Sequence, residues 1–259
     1  MINYIIASIL AMLLGQVASH LIRRLPEIIE DEYAIKKLIP TLKTGFKPDI
    51  IYSLILLVLF NLIVFFVDIT YLKYIYMITV SMLIVATVID FKMQLIPDTV
   101  QVVIFILGII STAIDYTNWL SHIMGMLLGG LIFVAIACFS KIVFRKEGMG
   151  MGDIKLMTGL GLIFGINGLP SGFMDFFVRA QTILTITVVA FFIAAIVAII
   201  LIITNKTEAS QYMAFGPYIV IATILVMLFG TSPFIEVYFN ACTSLANVVT
   251  NLMFKLIGG

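Results

Sequence analysis

The sequence predicts an all-α protein, a polytopic bundle of membrane-spanning helices. Hydrophobic residues fill 62% of the 259 positions, charged residues fill only 11%, and the mean hydropathy is +1.19. Soluble domains carry about a quarter of charged residues, because charge covers their surface. One aqueous core cannot bury this much apolar sequence, so lipid must solvate much of the surface. The net charge of +1 argues against a nucleic-acid partner.

Apolar runs of membrane-spanning length follow one another along the chain. A spanning helix needs about 20 apolar residues at 1.5 Å rise each. Eight segments are candidates, at 2–22, 50–67, 73–90, 99–115, 121–140, 154–170, 180–203 and 214–230. The 154–170 segment is short and glycine-rich, which is typical of a shallow or re-entrant helix packed against protein. The 233–257 segment contains several asparagines and is expected to be an interfacial or packed helix.

Basic residues are distributed unequally between the two sides of the predicted bundle. Twelve of the 15 Lys and Arg residues fall on the side that carries the loops 23–49, 91–98, 141–153 and 204–213. The positive-inside rule places this side in the cytoplasm and the N-terminus outside. Residues 2–22 contain no Lys or Arg, so we expect a span there and no cleaved signal peptide. The cytoplasmic loop 23–49 is too short for a core of its own, and residues 1–259 are expected to form one membrane-embedded domain.

No metal site is predicted from the cysteines and histidines. Cys138 and Cys242 lie in apolar surroundings far apart in the sequence, and neither belongs to a CxxC pair. Such cysteines are usually small buried hydrophobes. His20 and His122 have no carboxylate or cysteine at ligand spacing, so packing or polar-network roles are expected for them.

Two aspartates lie at the cytoplasmic ends of predicted spans. Asp90 ends the run SMLIVATVID, and Asp153 follows GMGMG and begins the next apolar segment. A carboxyl group there is costly unless it is neutral, paired or hydrated, so a function is the default interpretation. If the two meet, one keeps a proton and the other stays charged, and the pair can activate a water and protonate a scissile carbonyl oxygen. The structural alternative is that Asp90 ends a helix beside Lys92 and that Asp153 complements a helix dipole with Lys155 as its partner.

Glycines alternate with methionines directly before Asp153. Gly148, Gly150 and Gly152 would leave one edge of an extended segment without side chains. A substrate backbone can pair with such an edge, and proteolysis needs an extended substrate. The alternative is a flexible loop between two spans, since GxG is a weak signal by itself.

Two proline-containing pairs mark the starts of predicted helices. Pro97 and Asp98 precede TVQVVIFILG, where proline suits the first turn and a carboxylate suits the positive end of the helix. Gly216 and Pro217 likewise mark the start of the last of the eight predicted spans, 214–230.

Three segments share their order and spacing with one known family. Residues 89–98, IDFKMQLIPD, hold an Asp followed eight residues later by a second Asp in an Ile-Pro-Asp ending. Residues 146–155, KEGMGMGDIK, contain a GxGD motif, and residues 215–218 read FGPY. Together, over about residues 75–230, they resemble the type IV prepilin peptidases, which are GxGD-type intramembrane aspartyl proteases.

The resemblance implies that Asp90 and Asp153 are the catalytic pair of an aspartyl endopeptidase in the prokaryotic plasma membrane, with 75–230 as its catalytic core. Such an enzyme removes the short basic leader peptide from prepilins or pilin-like precursors at the cytoplasmic face. The residues that would bind substrate or support the pair are Gly148, Gly150, Gly152, Glu147, Lys155, Pro97, Asp98, Gly216 and Pro217. Glu147 and the acids within 27–32 would contact the basic leader.

The resemblance leaves methyl transfer open. Many bacterial members also use S-adenosylmethionine to methylate the new pilin N-terminus, and many carry a cytoplasmic insert with two CxxC pairs. Here the short, cysteine-free loop 27–49 replaces that insert, and no glycine-rich nucleotide loop supports methylation. Proteolysis by two carboxylates requires no cofactor, so S-adenosylmethionine is expected only if methyl transfer is retained.

Other functions compete with prepilin cleavage. A transporter would use Asp90 and Asp153 to relay protons or bind a cation, and it predicts inverted repeats with carboxylates near the midplane. No internal repeat is visible, and the acids fall at the interface. A membrane scaffold for a secretion machine would depend on neither aspartate. Among proteases, a preflagellin-type peptidase is a close alternative, whereas presenilin-type enzymes usually carry Tyr-Asp and Pro-Ala-Leu motifs that do not occur here.

Overall fold

The computed structural model describes residues 2–30, 50–144, 149–166, 168, 172–204, 214–238, 240, 243 and 244. Every regular element in these ranges is a helix, which confirms the predicted all-α membrane bundle. The helices are α1 (Ile2–Glu30), α2 (Ile50–Phe66), α3 (Thr70–Met93), α4 (Asp98–Ile114), α5 (Trp119–Phe144), α6 (Met151–Phe164), α7 (Phe173–Arg179), α8 (Gln181–Ile203), α9 (Gly216–Phe229) and α10 (Ser232–Tyr238). A short 3-10 helix, Tyr116–Asn118, joins α4 to α5.

Each of the eight predicted spans overlaps a helix, but the helices differ in length. Within the described ranges, α1, α3, α5 and α8 are long and apolar enough to cross a bilayer, and α9 with α10 would add a fifth if their 110° bend is one broken span. The other helices are shorter, with 17 residues in α2 and α4 and 14 in α6 and α9. At 1.5 Å per residue they measure about 21–26 Å, less than the roughly 30 Å hydrocarbon core. The count of eight spans therefore stays a prediction.

α3 is the central helix of the bundle. In its most apolar window 61% of the residues are buried in protein, against 22% for α8. It packs against α1, α2, α4 and α9. The hydroxyls of Thr79 and Ser81 donate to the carbonyl oxygens of Ile75 and Met77, one turn earlier, so these buried polar groups are satisfied within the helix. Because α3 is buried along its length, Asp90 in its last turn lies in the protein interior.

α5 and α6 pack with their backbones in contact, because glycines lie between them. A Cβ atom at Gly129 would lie 2.5 Å from the Met157 carbonyl oxygen, and one at Gly125 would lie 2.5 Å from the Gly161 carbonyl oxygen. Small residues permit such an approach where lipid supplies no hydrophobic force between helices. Because α4 packs on α6 as well, the short α6 and its first turn, with Asp153, are held firmly.

A cavity lies at each end of the bundle. One is lined where α3 ends and α4 and α6 begin. The other, of about 680 Å³, is lined by the last residues of α2, α6 and α9 and the first of α3 and α8. Asp90, Asp98 and Asp153 all line the first cavity, so the polar residues singled out in the sequence share one end of the molecule.

Candidate active site

Asp90 lies in the last turn of α3 and is 4% exposed. The helix ends after Met93, and Gln94 adopts the left-handed conformation, with φ 52°, that turns the chain out of the helix. The Gln94 backbone N–H donates to the Asp90 carbonyl oxygen at 2.8 Å and closes the last turn. The end of the helix therefore fixes the backbone that carries this carboxyl group.

Asp153 is the third residue of α6 and is 7% exposed. Gly150 precedes the helix with an extended backbone, φ −73° and ψ 147°, and its carbonyl oxygen accepts the Asp153 N–H at 3.2 Å. The Gly150 backbone N–H in turn interacts favourably with the Asp153 carboxylate. A carboxylate in a first turn also meets the positive end of the helix dipole. The start of α6 thus orients Asp153 from both its backbone and its side chain.

The two aspartates, from distant parts of the chain, line one cavity of about 290 Å³, here named the aspartate cavity. Its other walls come from residues 94–96, Asp98, Gln101, 150–152 and Lys155. Asp153 lies outside the long spans, and burial raises its pKa to about 7; the nearby charge of Asp90 adds to this rise, and the Gly150 N–H opposes it. Two carboxyl groups coupled in this way can hold one proton between them near neutral pH.

Gly216 brings the start of α9 against Asp90. Its backbone N–H interacts favourably with the Asp90 carboxylate, and a Cβ atom at this position would lie 2.5 Å from Asp90 Oδ2. Pro217 follows in the first turn of α9, as the sequence predicts for a helix start. Asp90 Oδ2 is buried and has no hydrogen-bond partner within the described residues. Such an oxygen is costly unless a water or a substrate group satisfies it.

Asp98 and Lys155 form an ion pair at the rim of the aspartate cavity. Asp98 is the first residue of α4, directly after Pro97, which confirms the predicted helix start. Lys155 Nζ donates to Asp98 Oδ1 at 2.7 Å, and both side chains are more than half exposed. The alternative in which Lys155 is the partner of Asp153 is wrong, because the lysine lies on the exposed face of α6 and Asp153 on its buried face.

The glycine segment differs from the extended edge that the sequence predicts. Gly150 is extended, but α6 begins at Met151, so Gly152 is helical. A Cβ atom at Gly152 would lie 3.2 Å from Ile96 Cβ and 3.4 Å from Gln101 Nε2. The prediction is therefore wrong for Gly152, whose small size serves the packing of α6 against the start of α4.

Other expectations from the sequence have mixed outcomes. Cys138 is exposed on α5, so its predicted burial is wrong; it faces away from the neighbouring helices. The polar-network role of His122 is confirmed, because its Nδ1 bonds the Leu162 carbonyl oxygen at 2.8 Å. Within the described ranges no three His, Cys, Asp or Glu side chains are grouped to hold a metal ion. Outside these ranges lie Glu147, Gly148, Cys242, the side chains of the acids within 27–32, and most of 233–257.

Gln101 is a residue of the aspartate cavity that the sequence reasoning missed. It lies on α4, one turn after Asp98, and is 7% exposed. Its Nε2 donates to the Ile96 carbonyl oxygen at 3.1 Å, and its Oε1 is buried without a partner in the described part of the chain. The available signal was a single amide side chain inside the apolar run TVQVVIFILG.

Known proteins resemble this chain over more than half of its length. Proteins named prepilin leader peptidase/N-methyltransferase from Stutzerimonas stutzeri and Pseudomonas aeruginosa are each 30% identical over 149 residues, which is 57% of this chain and 47% of theirs. The protein of that name from Bacillus subtilis is 28% identical over 156 residues, or 59% of this chain and 54% of its own. The chain therefore spans about half the length of the curated relatives it matches. No solved structure matches it.

The model of the Type IV leader peptidase family matches residues 77–249, which is more than half of the chain. This range contains the last turn of α3 and the helices α4 and α6, which line the aspartate cavity, and it also contains α9. The chain belongs to the Type IV leader peptidase family.

Proposed function

We propose that the protein is an aspartyl endopeptidase of the membrane that removes the N-terminal leader peptide from prepilins or pilin-like precursors, with Asp90 and Asp153 as its catalytic pair. The observation that carries this proposal is that two buried aspartates from separate helices line one cavity and interact electrostatically. The family supplies the reaction class, and the names of the relatives supply the substrate class.

The chemistry follows from one proton shared by two carboxyl groups. The ionised carboxylate takes a proton from a water molecule, whose oxygen attacks the carbon of the scissile carbonyl. The protonated carboxyl gives its proton to the carbonyl oxygen, so a neutral gem-diol forms. When the C–N bond breaks, the protonated carboxyl gives its proton to the leaving amine and the carboxylate takes a proton from one gem-diol hydroxyl, so the carboxylic acid is released and the pair again holds one proton. Burial strengthens the electrostatic interactions that stabilise the transition states of these steps, because the site has a low dielectric constant.

We propose that the aspartate cavity opens at the cytoplasmic face of a prokaryotic plasma membrane. Support comes from the basic side chains at this end of the bundle, among them Arg23, Lys92, Lys141 and Lys155, which the positive-inside rule assigns to the cytoplasm. A leader with basic residues stays on that side, and cleavage there would precede any export of the apolar part. In this proposal residues 75–230 form the catalytic core of one domain over 1–259.

The supporting roles inferred from the sequence also become proposals. Gly216 leaves space for the Asp90 carboxyl group and places a backbone N–H that interacts favourably with it. Pro217 follows Gly216 in the first turn of α9. Gly150 holds Asp153 through its backbone. Gly152 sets the approach of α6 to α4, and Pro97 begins α4. The ion pair of Asp98 and Lys155 ties these two helix starts together at the rim.

The alternatives have less support. The family assignment gives the transporter no support. The relatives' names include an N-methyltransferase activity, for which S-adenosylmethionine would be the donor. The described residues contain no glycine-rich nucleotide loop to fit this cofactor, so we derive no methyl-transfer step. A labelled-methyl assay on the cleaved product would decide that second activity.

Leader cleavage by purified full-length protein in proteoliposomes tests the proposal. The substrate is a pilin-like precursor with a basic leader and an apolar helix, and mass spectrometry reads the cleavage position. We expect cleavage by the wild type and none above background for Asp90→Asn or Asp153→Asn. Asp68→Asn is the matched control, since Asp68 lies at the opposite cavity and its variant should cleave normally. Normal cleavage by either of the first two variants would exclude that residue from the catalytic pair.

A further inference from the structure

Gln101 presents a buried acceptor whose orientation is chemically determined. The amide group that bonds the Ile96 carbonyl oxygen must be the NH₂ group, because a carbonyl oxygen can only accept. The other atom of the amide, Oε1, is therefore the acceptor that lacks a partner within the described residues. Gln101 is only 7% exposed, and it lines the aspartate cavity. A buried amide oxygen of this kind needs a donor.

The position of Gln101 is also a junction between two cavities. A groove of about 480 Å³ opens between α4 and α6 and shares Asp98, Gln101 and Lys155 with the aspartate cavity. Its walls are mainly apolar and come from Val102, Phe105 and Ile106 on α4 and from Ile154 and Thr158 on α6. A polypeptide that lies across both would present a polar segment to the aspartates and an apolar segment to the groove.

An apolar segment in that groove offers few donors other than its own backbone. Next to the scissile bond the substrate must be extended, before its apolar helix begins, and an extended chain leaves main-chain N–H groups that each need an acceptor away from water. Gln101 Oε1 is such an acceptor. It is held in place before substrate arrives, because Nε2 is bonded to Ile96 and Gly152 packs beside it.

We propose that Gln101 is a substrate-positioning residue whose Oε1 accepts a hydrogen bond from one main-chain N–H of the substrate, where the chain passes from the aspartate cavity into the α4–α6 groove. The bond fixes the register of the scissile peptide against Asp90 and Asp153. This inference rests on the proposed peptidase function and adds to it the way in which the enzyme holds the apolar side of its substrate.

The test pairs a change in the enzyme with a change in the substrate backbone. Synthetic pilin-like peptides carry a single ester in place of one amide, so that one N–H is replaced by oxygen at each flanking position in turn while the scissile amide is kept. A neutral hydrogen bond contributes enough that we expect one ester position to lower kcat/KM of the full-length wild type by about two- to tenfold. Gln101→Met, similar in size and unable to accept this bond, should lower kcat/KM of the all-amide peptide by a like factor and be insensitive to that ester.

Controls separate positioning from folding. Gln181→Met makes the same atomic change on α8, away from the aspartate cavity. This variant should cleave the all-amide peptide at the wild-type rate and should show the same decrease in kcat/KM with the ester peptide. If Gln101→Met is unfolded under assay conditions, Gln101→Asn replaces it as the test variant. It keeps the amide group on a side chain that is shorter by one carbon, and its kcat/KM should likewise be insensitive to the ester. The wild-type ester scan itself needs no variant.

The outcomes are distinct. Loss of one position-specific penalty in the Gln101 variant supports the proposal. A wild type that is insensitive to every ester overturns it, and so does a Gln101 variant that is slower but keeps the full penalty, since that describes a structural role. A lipid in the groove in place of substrate would likewise leave no position-specific penalty. A wild type that fails to cleave the all-amide peptide overturns the proposed function itself, and this inference with it.

Discussion

An alanine at position 216 would intrude on the Asp90 carboxyl group. The new Cβ atom would lie 2.5 Å from Asp90 Oδ2, 3.2 Å from its Cγ and 3.1 Å from Ile96 Cδ1. Position 216 starts a right-handed helix, so alanine fits the backbone and the conflict is with these side chains alone. Ordinary contacts begin near 3.4 Å, so the carboxyl group must move by about 0.9 Å in an interior that is already close-packed.

That displacement has separable consequences for rate and stability. A shift near 1 Å in a reacting group costs about 100-fold in rate, and overpacking costs about 1–3 kcal/mol of the free energy of unfolding. We therefore expect Gly216→Ala to remain folded and to lose about 100-fold in kcat/KM for leader cleavage. Gly172→Ala is the matched control, because nothing lies within 4 Å of its Cβ position and its φ of −174° suits any residue. A folded Gly216→Ala enzyme that cleaves within twofold of the wild type would refute the reasoning, since Asp90 would then act without its present position.

Three further perturbations follow from the same geometry. A Cβ atom at Gly150 would lie 3.5 Å from Asp153 Oδ2, an ordinary contact, so Gly150→Ala should have the melting temperature of the wild type. Its KM should rise severalfold, because the methyl group would obstruct a substrate backbone that passes Gly150. An unchanged KM would show that the substrate backbone does not pass there. Since the pKa of Asp153 is raised from 3.8 to about 7, cleavage should decline above pH 7 as the pair loses its shared proton. The native state also binds more protons than the unfolded chain between these values, so the free energy of unfolding should fall as pH rises from about 4 to about 7, and denaturation of Asp153→Asn should show a weaker pH dependence. Gly129→Ala would place Cβ 2.5 Å from the Met157 carbonyl oxygen, a backbone atom that cannot easily move. Thermal denaturation should therefore show that the free energy of unfolding falls by about 1–3 kcal/mol or more. A melting curve like that of the wild type would contradict the close α5–α6 packing.

The sequence predicts the helices well, because their signals are local. Apolar runs locate all eight segments, and Pro97 with Asp98 and Gly216 with Pro217 mark two helix starts where the structure has them. The length of α6 is predicted less well. It ends at Phe164, before Gly165 with φ 63°, and not at residue 170. A glycine-rich apolar run does not reveal which of its glycines ends the helix.

The parts of the site that sequence reasoning missed depend on which helices approach each other. Gln101 is one polar residue in an apolar run until α4 packs on α6 and encloses it. Asp153 is only two residues from Lys155 in the sequence, yet the lysine pairs with Asp98, 57 residues away, because Lys155 lies on the exposed side of α6. The spacing of residues along the chain does not predict the burial of Gln101 or the partner of Lys155, because both depend on how two helices pack against each other.

The residues that bring the two aspartates together are glycines that do not themselves react. α9 approaches Asp90 where position 216 has no side chain, and the first turn of α6 approaches α4 where position 152 has none. The glycines between α5 and α6 fix the depth of α6 in the same way. Asparagine has nearly the same size as aspartate, whereas a methyl group at Gly216 would push against the Asp90 carboxyl group and one at Gly152 would press on Ile96 and Gln101. The position of the two carboxyl groups therefore depends on sites that have no side chain, where neighbouring helices can come this close.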